Sequence, residues 1–330
     1  KETQEISSNQ AKIDLIGDDT RKMVVSIAVT KMFKINKMNW TDIKKMLIEI
    51  DETILGFDGF LGLKKIVPSV NELEISRSFK GDFETLDLTS RWICEVSPIP
   101  RLMARFDSLA LHSEFLKTHD KYQIFITTLY NSLETFQSNR NFHRFLRVCI
   151  DVGNILNTGN RRGAASGFKI LSIIEFLNCK SSVKKGVSVM DFIILEIRSQ
   201  APDVLSFIEV LDANMKIATS LNIEDVVAEV LEIHGKINNI RKQLELAENS
   251  KPPDLHYVDK FSSLIMDYGE KVILMTSESK RVQEFYFEVM VLLGENERKL
   301  KDKKSQDILK PLSIFFSTIN QYILNLKPLK

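Results

Sequence analysis

Between residues 223 and 293, apolar side chains recur at alternating intervals of three and four, and that spacing constrains the fold more than any other feature. Ile223, Val226, Val230, Ile233, Ile237, Ile240 and Leu244 form one seam. Val258, Phe261, Ile265, Tyr268, Val272, Met275, Ser279, Val282, Tyr286, Val289 and Leu293 form a second. A repeat of about 3.5 residues belongs to a helix that buries one stripe against other helices. Lys251-Pro252-Pro253-Asp254 interrupts the pattern, because proline lacks the N–H and clashes with the preceding turn. Two long helices joined by so short a turn are expected to pack antiparallel as a rod near ~50 Å at ~1.5 Å per residue. A self-contained hairpin needs no partner, so the seam does not by itself imply an oligomer.

The rest of the chain keeps the same period. Glycine (13) and proline (8) are scarce, no proline lies between Pro100 and Pro202, and nothing alternates for long with period two. The expected class is all-α. Residues 1–18 are polar and weakly periodic and read as a linker. Residues 20–33 predict a helix in which Val24, Val25, Ile27, Ala28, Val29 and Met32 crowd one broad face. Thr41 is expected to cap a short helix running to Ile50, and Ser69-Val70-Asn71-Glu72 has the form of a capping box. Residues 20–97 thus predict a compact cluster of short helices. Pro98 and Pro100 mark a break, with Pro100 suited to the first turn of the next helix. Helical pattern follows through Leu102, Phe106, Leu109 and Phe115, resumes over residues 118–136, and returns over 141–156. Glycine-containing loops are expected near 158–167 and 179–187. After Gly294, a basic stretch over 299–304 leads to a last helix through Leu326.

Lys and Arg number 45 and Asp and Glu 44, a formal charge of +1, so no global field draws the chain to nucleic acid or acidic lipid. Cys94, Cys149 and Cys179 contain no CxxC pair and read as buried reduced thiols of a cytosolic protein. The first ten residues lack the apolar core of a signal peptide. No apolar run approaches the ~20 residues that span a bilayer. A soluble cytoplasmic protein is expected.

No reaction centre is evident. His112 and His119 are seven apart, but no acidic spacing completes a metal site, and neither a nucleophile elbow nor a phosphate-binding loop is present. No enzyme activity, metal or cofactor is expected. One glycine-rich stretch stands out: Gly153, Asn154, Asn157, Gly159, Arg161, Arg162, Gly163, Gly167 and Phe168 lie within 153–168. Its backbone N–H groups beside two arginines could hold a phosphate. Arg161 or Arg162 could serve as an arginine finger on a nucleotide-hydrolysing partner. The structural alternative, favoured on the residues alone, is a helix terminus and tight loop with glycines at positive φ and asparagines capping the backbone.

At this stretch the sequence resembles the formin homology-2 family, whose pattern is Gly-Asn-x-x-Asn-x-Gly, small residues and glycines, Gly-Phe, a Leu-rich helix and a Thr-Lys-Ser-like turn. Gly153, Asn154, Asn157, Gly159, Gly163, Gly167, Phe168, Leu171 and Cys179-Lys180-Ser181 carry the match. Residues 19–29, Ile99-Pro100-Arg101-Leu102 with Arg105, and Ala201-Pro202-Asp203-Val204-Leu205 resemble further family landmarks in the same order, from about residue 19 to the C-terminus.

The resemblance implies an all-α formin homology-2 core: a knob over about 19–97, a coiled-coil region over about 98–140 and 187–300, and a post over about 141–186 and 301–330. It implies actin-filament nucleation, and barbed-end binding with processive capping, at the cytoskeleton. Ile27 matches a knob isoleucine that enters an apolar cleft on actin, and Lys180 a post lysine that meets actin's acidic surface. Gly153, Asn154, Asn157, Gly159, Gly163, Gly167 and Phe168 are expected to shape the post surface that accepts the lasso of a second copy in a homodimer. The chain departs from the family pattern in lacking the tryptophan-bearing lasso, which neither Trp40 nor Trp92 supplies, and a proline-rich segment for profilin. Such a chain is expected to be largely monomeric and to bind actin weakly or cap it partially. Cys179 stands where threonine is usual, and Val24 and Val25 replace more polar residues. A formin-like module directed at microtubules or another partner is the rival implication.

Overall fold

The computed structural model describes residues 12–160 and 163–326. Fourteen α-helices and no strand occur among the described residues. The first five are α1 (Asp19–Lys34), α2 (Trp40–Glu49), α3 (Phe57–Gly62), α4 (Val70–Ser78) and α5 (Leu88–Val96). Next come α6 (Leu102–Ser138), α7 (Arg140–Leu156), α8 (Glu175–Asn178), α9 (Val189–Gln200) and α10 (Ile208–Ala218). The long α11 (Ile223–Glu248) and α12 (Leu255–Leu292) precede α13 (Glu297–Lys301) and α14 (Gln306–Asn325). The chain divides into two compact units. Unit 1 is Lys1–Phe115 with Gly235–Gly269, and unit 2 is Leu116–His234 with Glu270–Lys330.

Unit 1 is organised around α5, which packs against α1, α2 and α4. Thr89, Ser90, Trp92, Ile93, Cys94, Glu95 and Val96 are all buried. The Trp92 indole N–H donates to the Ile66 carbonyl at 2.7 Å, satisfying the one polar group of that side chain. Ahead of α1, the stretch read as linker is held in place from Ile13 on. Ile13 N–H donates to the Thr85 carbonyl, Asp87 N–H to the Ile13 carbonyl, and Leu15 N–H to the Ser90 hydroxyl. Ser69 and Glu72 form the expected capping box at α4. At α2 the cap is Asn39 rather than Thr41: Asn39 Oδ1 accepts from Asp42 N–H, and the Asp42 carboxylate accepts from Asn39 N–H.

In unit 1 the seam residues Ile237, Ile240 and Leu244 of α11 and Phe261, Ile265 and Tyr268 of α12 are buried. The two helices run antiparallel from their turn. Asp254 N–H reaches back to the Ala247 carbonyl. Further along, Gly269 leaves the space that the Arg241 guanidinium fills. The second seam begins at Tyr257, fully buried, and not at the half-buried Val258. The Tyr257 hydroxyl hydrogen-bonds Ser108 at 2.8 Å, and Phe115 stacks on Tyr268 with ring centroids 4.1 Å apart. The seam therefore has a third helix on it, α6.

Arg105 of α6 has no exposed surface. Its guanidinium donates to both Asp254 oxygens at 2.6 and 2.7 Å, to the Ile48 carbonyl at 2.6 Å and to the Pro100 carbonyl at 3.1 Å. Helix α6 opens at Leu102, one residue after Arg101 turns to φ +54°, so Pro100 stands outside the helix and not in its first turn. The two helical segments expected over 102–115 and 118–136 are one continuous helix.

Unit 2 has a phenylalanine core. Phe136, Phe142, Phe145, Phe207 and Phe316 meet at centroid distances from 5.2 to 6.5 Å, in the tilted and edge-on arrangements aromatic pairs prefer. Helix α14 packs on α10. The buried Ser305 hydroxyl donates to Glu224 at 2.9 Å and accepts from Ile223 N–H, pinning the starts of α11 and α14 together. Val226, Val230, Ile233, Val272, Met275, Val282 and Val289 carry the seam through this unit. Cys94 and Cys149 are buried as expected, but Cys179 is exposed, because it falls on the surface hairpin that follows α8.

Candidate functional site

Three surface features collect the residues singled out by the sequence. The first lies on α1 in unit 1. Val25, Val29 and Met32 are buried, at the i, i+4, i+7 spacing of one helix stripe. At about 100° per residue, Ile27 falls some 200° from Val25, on the outward side, and is 61% exposed. Met23 (66%) and Ile35 (68%) are exposed as well, and share the Ile27 row at intervals of four or eight. Val24 is also exposed and Ala28 half-buried. The broad apolar face expected for this helix is therefore two faces, one facing α5 and one facing solvent.

The helix is held firmly at its N-terminal end. Asp18 caps it. Arg21 pairs with both Glu72 oxygens at 2.8 and 3.0 Å and donates to the carbonyls of Lys65, Ile66 and Val67. Burial alone would raise the Glu72 carboxyl, but Arg21 and the Ser69 N–H outweigh it and hold it below the ordinary carboxylate range. Lys22 also pairs with Asp14.

The second feature is a hairpin after α8, in unit 2. Ser181 N–H donates to the Val187 carbonyl and Val189 N–H to the Cys179 carbonyl, each near 2.8–2.9 Å, and Lys180 and Ser188 form an antiparallel bridge. The Ser181 hydroxyl accepts from the N–H groups of Val183 and Lys184, and Gly186 turns at φ +84°. Lys180, Lys184 and Lys185 are all exposed on this hairpin, with Val183 95% exposed at its tip.

The third feature is the glycine-asparagine stretch, also in unit 2. Asn157 ends α7, and its side-chain amide donates to the Gly153 carbonyl at 2.8 Å. Gly159 takes φ +83°. A Cβ at Gly163 would stand 2.4 Å from the Asn157 carbonyl oxygen, so no larger residue fits there without moving backbone. Asn154 closes the loop with two hydrogen bonds to the Ala165 backbone, accepting from its N–H at 2.9 Å and donating to its carbonyl at 3.0 Å. Gly153 lies against the Phe176 ring, and Phe168 meets the same ring edge-on at 6.5 Å. Each named residue thus has a structural duty. Arg161 and Arg162, the candidates for a phosphate or arginine-finger role, lie outside the described residues.

Beyond this loop a groove of about 540 Å³ opens, lined by Leu146 and Ile150 of α7, by residues 167–170, and by Leu292, Leu293 and Gly294. Ile170 N–H donates to the Leu293 carbonyl and joins the two sides. Gly167 has no heavy atom within 4 Å of where a Cβ would stand, whereas a Cβ at Gly294 would come within 3.1 Å of the Phe168 carbonyl. Sequence reasoning missed this groove because its walls are over 120 residues apart in the chain. It also missed Met23 and Ile35 beside Ile27, although their spacing was readable.

A family model for the Formin Homology 2 Domain matches residues 1–320. The chain belongs to the formin homology 2 family. Individual relatives are distant. Human (Homo sapiens) Protein diaphanous homolog 3 is 22% identical over 289 residues, 87% of this chain and 24% of that protein. Formin-like protein 6 of Oryza sativa subsp. japonica is 24% identical over 245 residues, 74% of this chain and 17% of its own length. Formin-like protein 16 of Arabidopsis thaliana is 23% identical over 219 residues, 66% of this chain and 30% of its own length. The chain therefore spans less than a third of these curated relatives. The family match begins at residue 1 and so includes the stretch read as linker. Among the described residues no group of three or more His, Cys, Asp or Glu could hold a metal, and no helix is long and apolar enough to cross a membrane.

Proposed function

We propose that this formin homology 2 chain binds actin at the filament barbed end and nucleates filaments, acting as a binding module without covalent chemistry, in the cytoplasm at the cytoskeleton. The observation that carries the reading is Ile27. A large aliphatic side chain stands outward on a helix whose opposite face, cap and Arg21–Glu72 pair all fix it in place. An outward anchor on a fixed helix suits insertion into an apolar cleft, where burying it contributes about 2 kcal/mol. Lys180 adds a charged contact from its hairpin, as a point charge suited to an acidic surface.

In the family's terms, residues of about 19–97 serve as the knob, about 98–140 and 187–300 as the coiled-coil region, and about 141–186 with 301–330 as the post. The groove lined by Leu146, Ile150, Phe168 and Leu293 receives a segment of a second copy in the full-length protein, giving a homodimer there. Gly153, Asn154, Asn157, Gly159, Gly163 and Gly167 hold the loop that borders it.

The test is a pyrene-actin assembly assay on Ile27→Ala and Lys180→Ala. Both variants should keep the parent's helical circular dichroism and lose barbed-end activity, with the Lys180 contact weakening as salt rises. Unchanged assembly kinetics in either variant would remove that residue from the contact.

A further inference from the structure

The groove in unit 2 does not end at Gly294. A second depression of about 330 Å³ adjoins it, lined by residues within 169–175 and 295–303. Lys169 lines both halves. The first half is apolar. The second is lined by Lys169, Lys299 and Lys303, with Glu175 and Glu295 as the only acidic residues of its lining. The three lysines are exposed, and none pairs with a carboxylate among the described residues.

We propose that this trough docks an extended peptide segment carrying one apolar anchor followed, within a few residues, by acidic side chains. The proposal rests on the reading of the apolar half as an acceptor for a partner segment, and adds the chemistry that the far half selects. Three ammonium groups facing two carboxylates leave that end positive, which is complementary to an acidic chain. An extended chain advances ~3.3 Å per residue, so an anchor seated beside Leu293 puts its next residues alongside Lys169 and then Lys299 and Lys303. The two glutamates in the lining oppose a densely charged polyanion such as nucleic acid. Separate carboxylates pair with the lysines one at a time.

The experiment measures fluorescence anisotropy of labelled ten-residue peptides on the 330-residue chain. Each peptide carries a tryptophan anchor followed by three Glu, three Gln or three Lys. The Glu peptide should bind about fivefold or more tighter than the Gln peptide at low salt, from exposed pairs of ordinary strength, and the gap should close at high salt. K299E/K303E, which changes two exposed side chains, should erase the preference while leaving Gln-peptide affinity and helicity unchanged. Equal affinity for Glu and Gln peptides would overturn the acidic selectivity and leave the acceptor groove standing. Failure of every peptide to bind would overturn both.

Discussion

Asp254→Asn should destabilise unit 1 by about 3–5 kcal/mol. The Arg105 guanidinium is fully enclosed and touches both Asp254 oxygens, and Asp254 is itself 5% exposed at the side chain. Burial pushes the Arg105 guanidinium below its ordinary value, and the Asp254 charge offsets part of that penalty. Removing one partner of such a pair leaves an uncompensated buried charge and costs about 3–5 kcal/mol. The Ile48 and Pro100 carbonyls remain as neutral acceptors, which places the expected loss near ~4 kcal/mol. With a urea m-value of about 2 kcal/mol per molar, the midpoint should fall by about 2 M. The two tryptophans, Trp40 and Trp92, both belong to unit 1, so tryptophan fluorescence excited at 295 nm reports this unit alone. The double substitution Arg105→Met with Asp254→Leu removes both charges and should come back to within about 1–2 kcal/mol of the parent. A midpoint shift under about 0.5 M for Asp254→Asn, or a double variant no more stable than the single, would refute the uncompensated-charge reasoning.

Gly163→Ala forces a Cβ against the Asn157 carbonyl, and should cost about 1–3 kcal/mol locally. Hydrogen exchange at the Ala165 N–H, which Asn154 holds, should speed up about tenfold or more. Ile27→Ala should change the urea midpoint by no more than about 0.5 kcal/mol equivalent, because its side chain is exposed. The Glu72 carboxyl is held below its ordinary value of 4.5 in the folded state. Its contribution is therefore complete above that value and is lost as pH falls through the lower, folded one. Glu72→Gln should be less stable than the parent at neutral pH, and a pH series followed by tryptophan fluorescence should show the two converging below 4.5.

The all-α class and the antiparallel pair α11 and α12 could be read from the sequence because a seven-residue repeat and a proline break are local patterns. The Ser69 cap was legible for the same reason. Thr41 misled because the side chain two residues earlier, Asn39, was equally able to cap and had Asp42 at the reciprocal spacing. Helix α6 read as two because Leu116 lies off the buried face, where it is 58% exposed, while the stripe steps directly from Phe115 to Tyr122. Composition could not say which of Val24, Val25 and Ile27 faces inward, since all three are apolar. Contact with α5 decides that, and α5 lies some 60 residues further on. The glycine-asparagine loop was legible as a loop. The groove beside it was not, because its apolar wall is assembled from α7, residues 167–170 and the end of α12.

Exposure of Cys179 gives the chain a single accessible thiol for labelling. The other two thiols, Cys94 and Cys149, are buried, and burial pushes both upward, Cys149 to about 12, so both stay protonated and shielded while a maleimide reacts. An environment-sensitive dye would therefore enter at one position without mutagenesis. That position adjoins Lys180, so the dye's emission would report directly whether the hairpin is covered when actin is added.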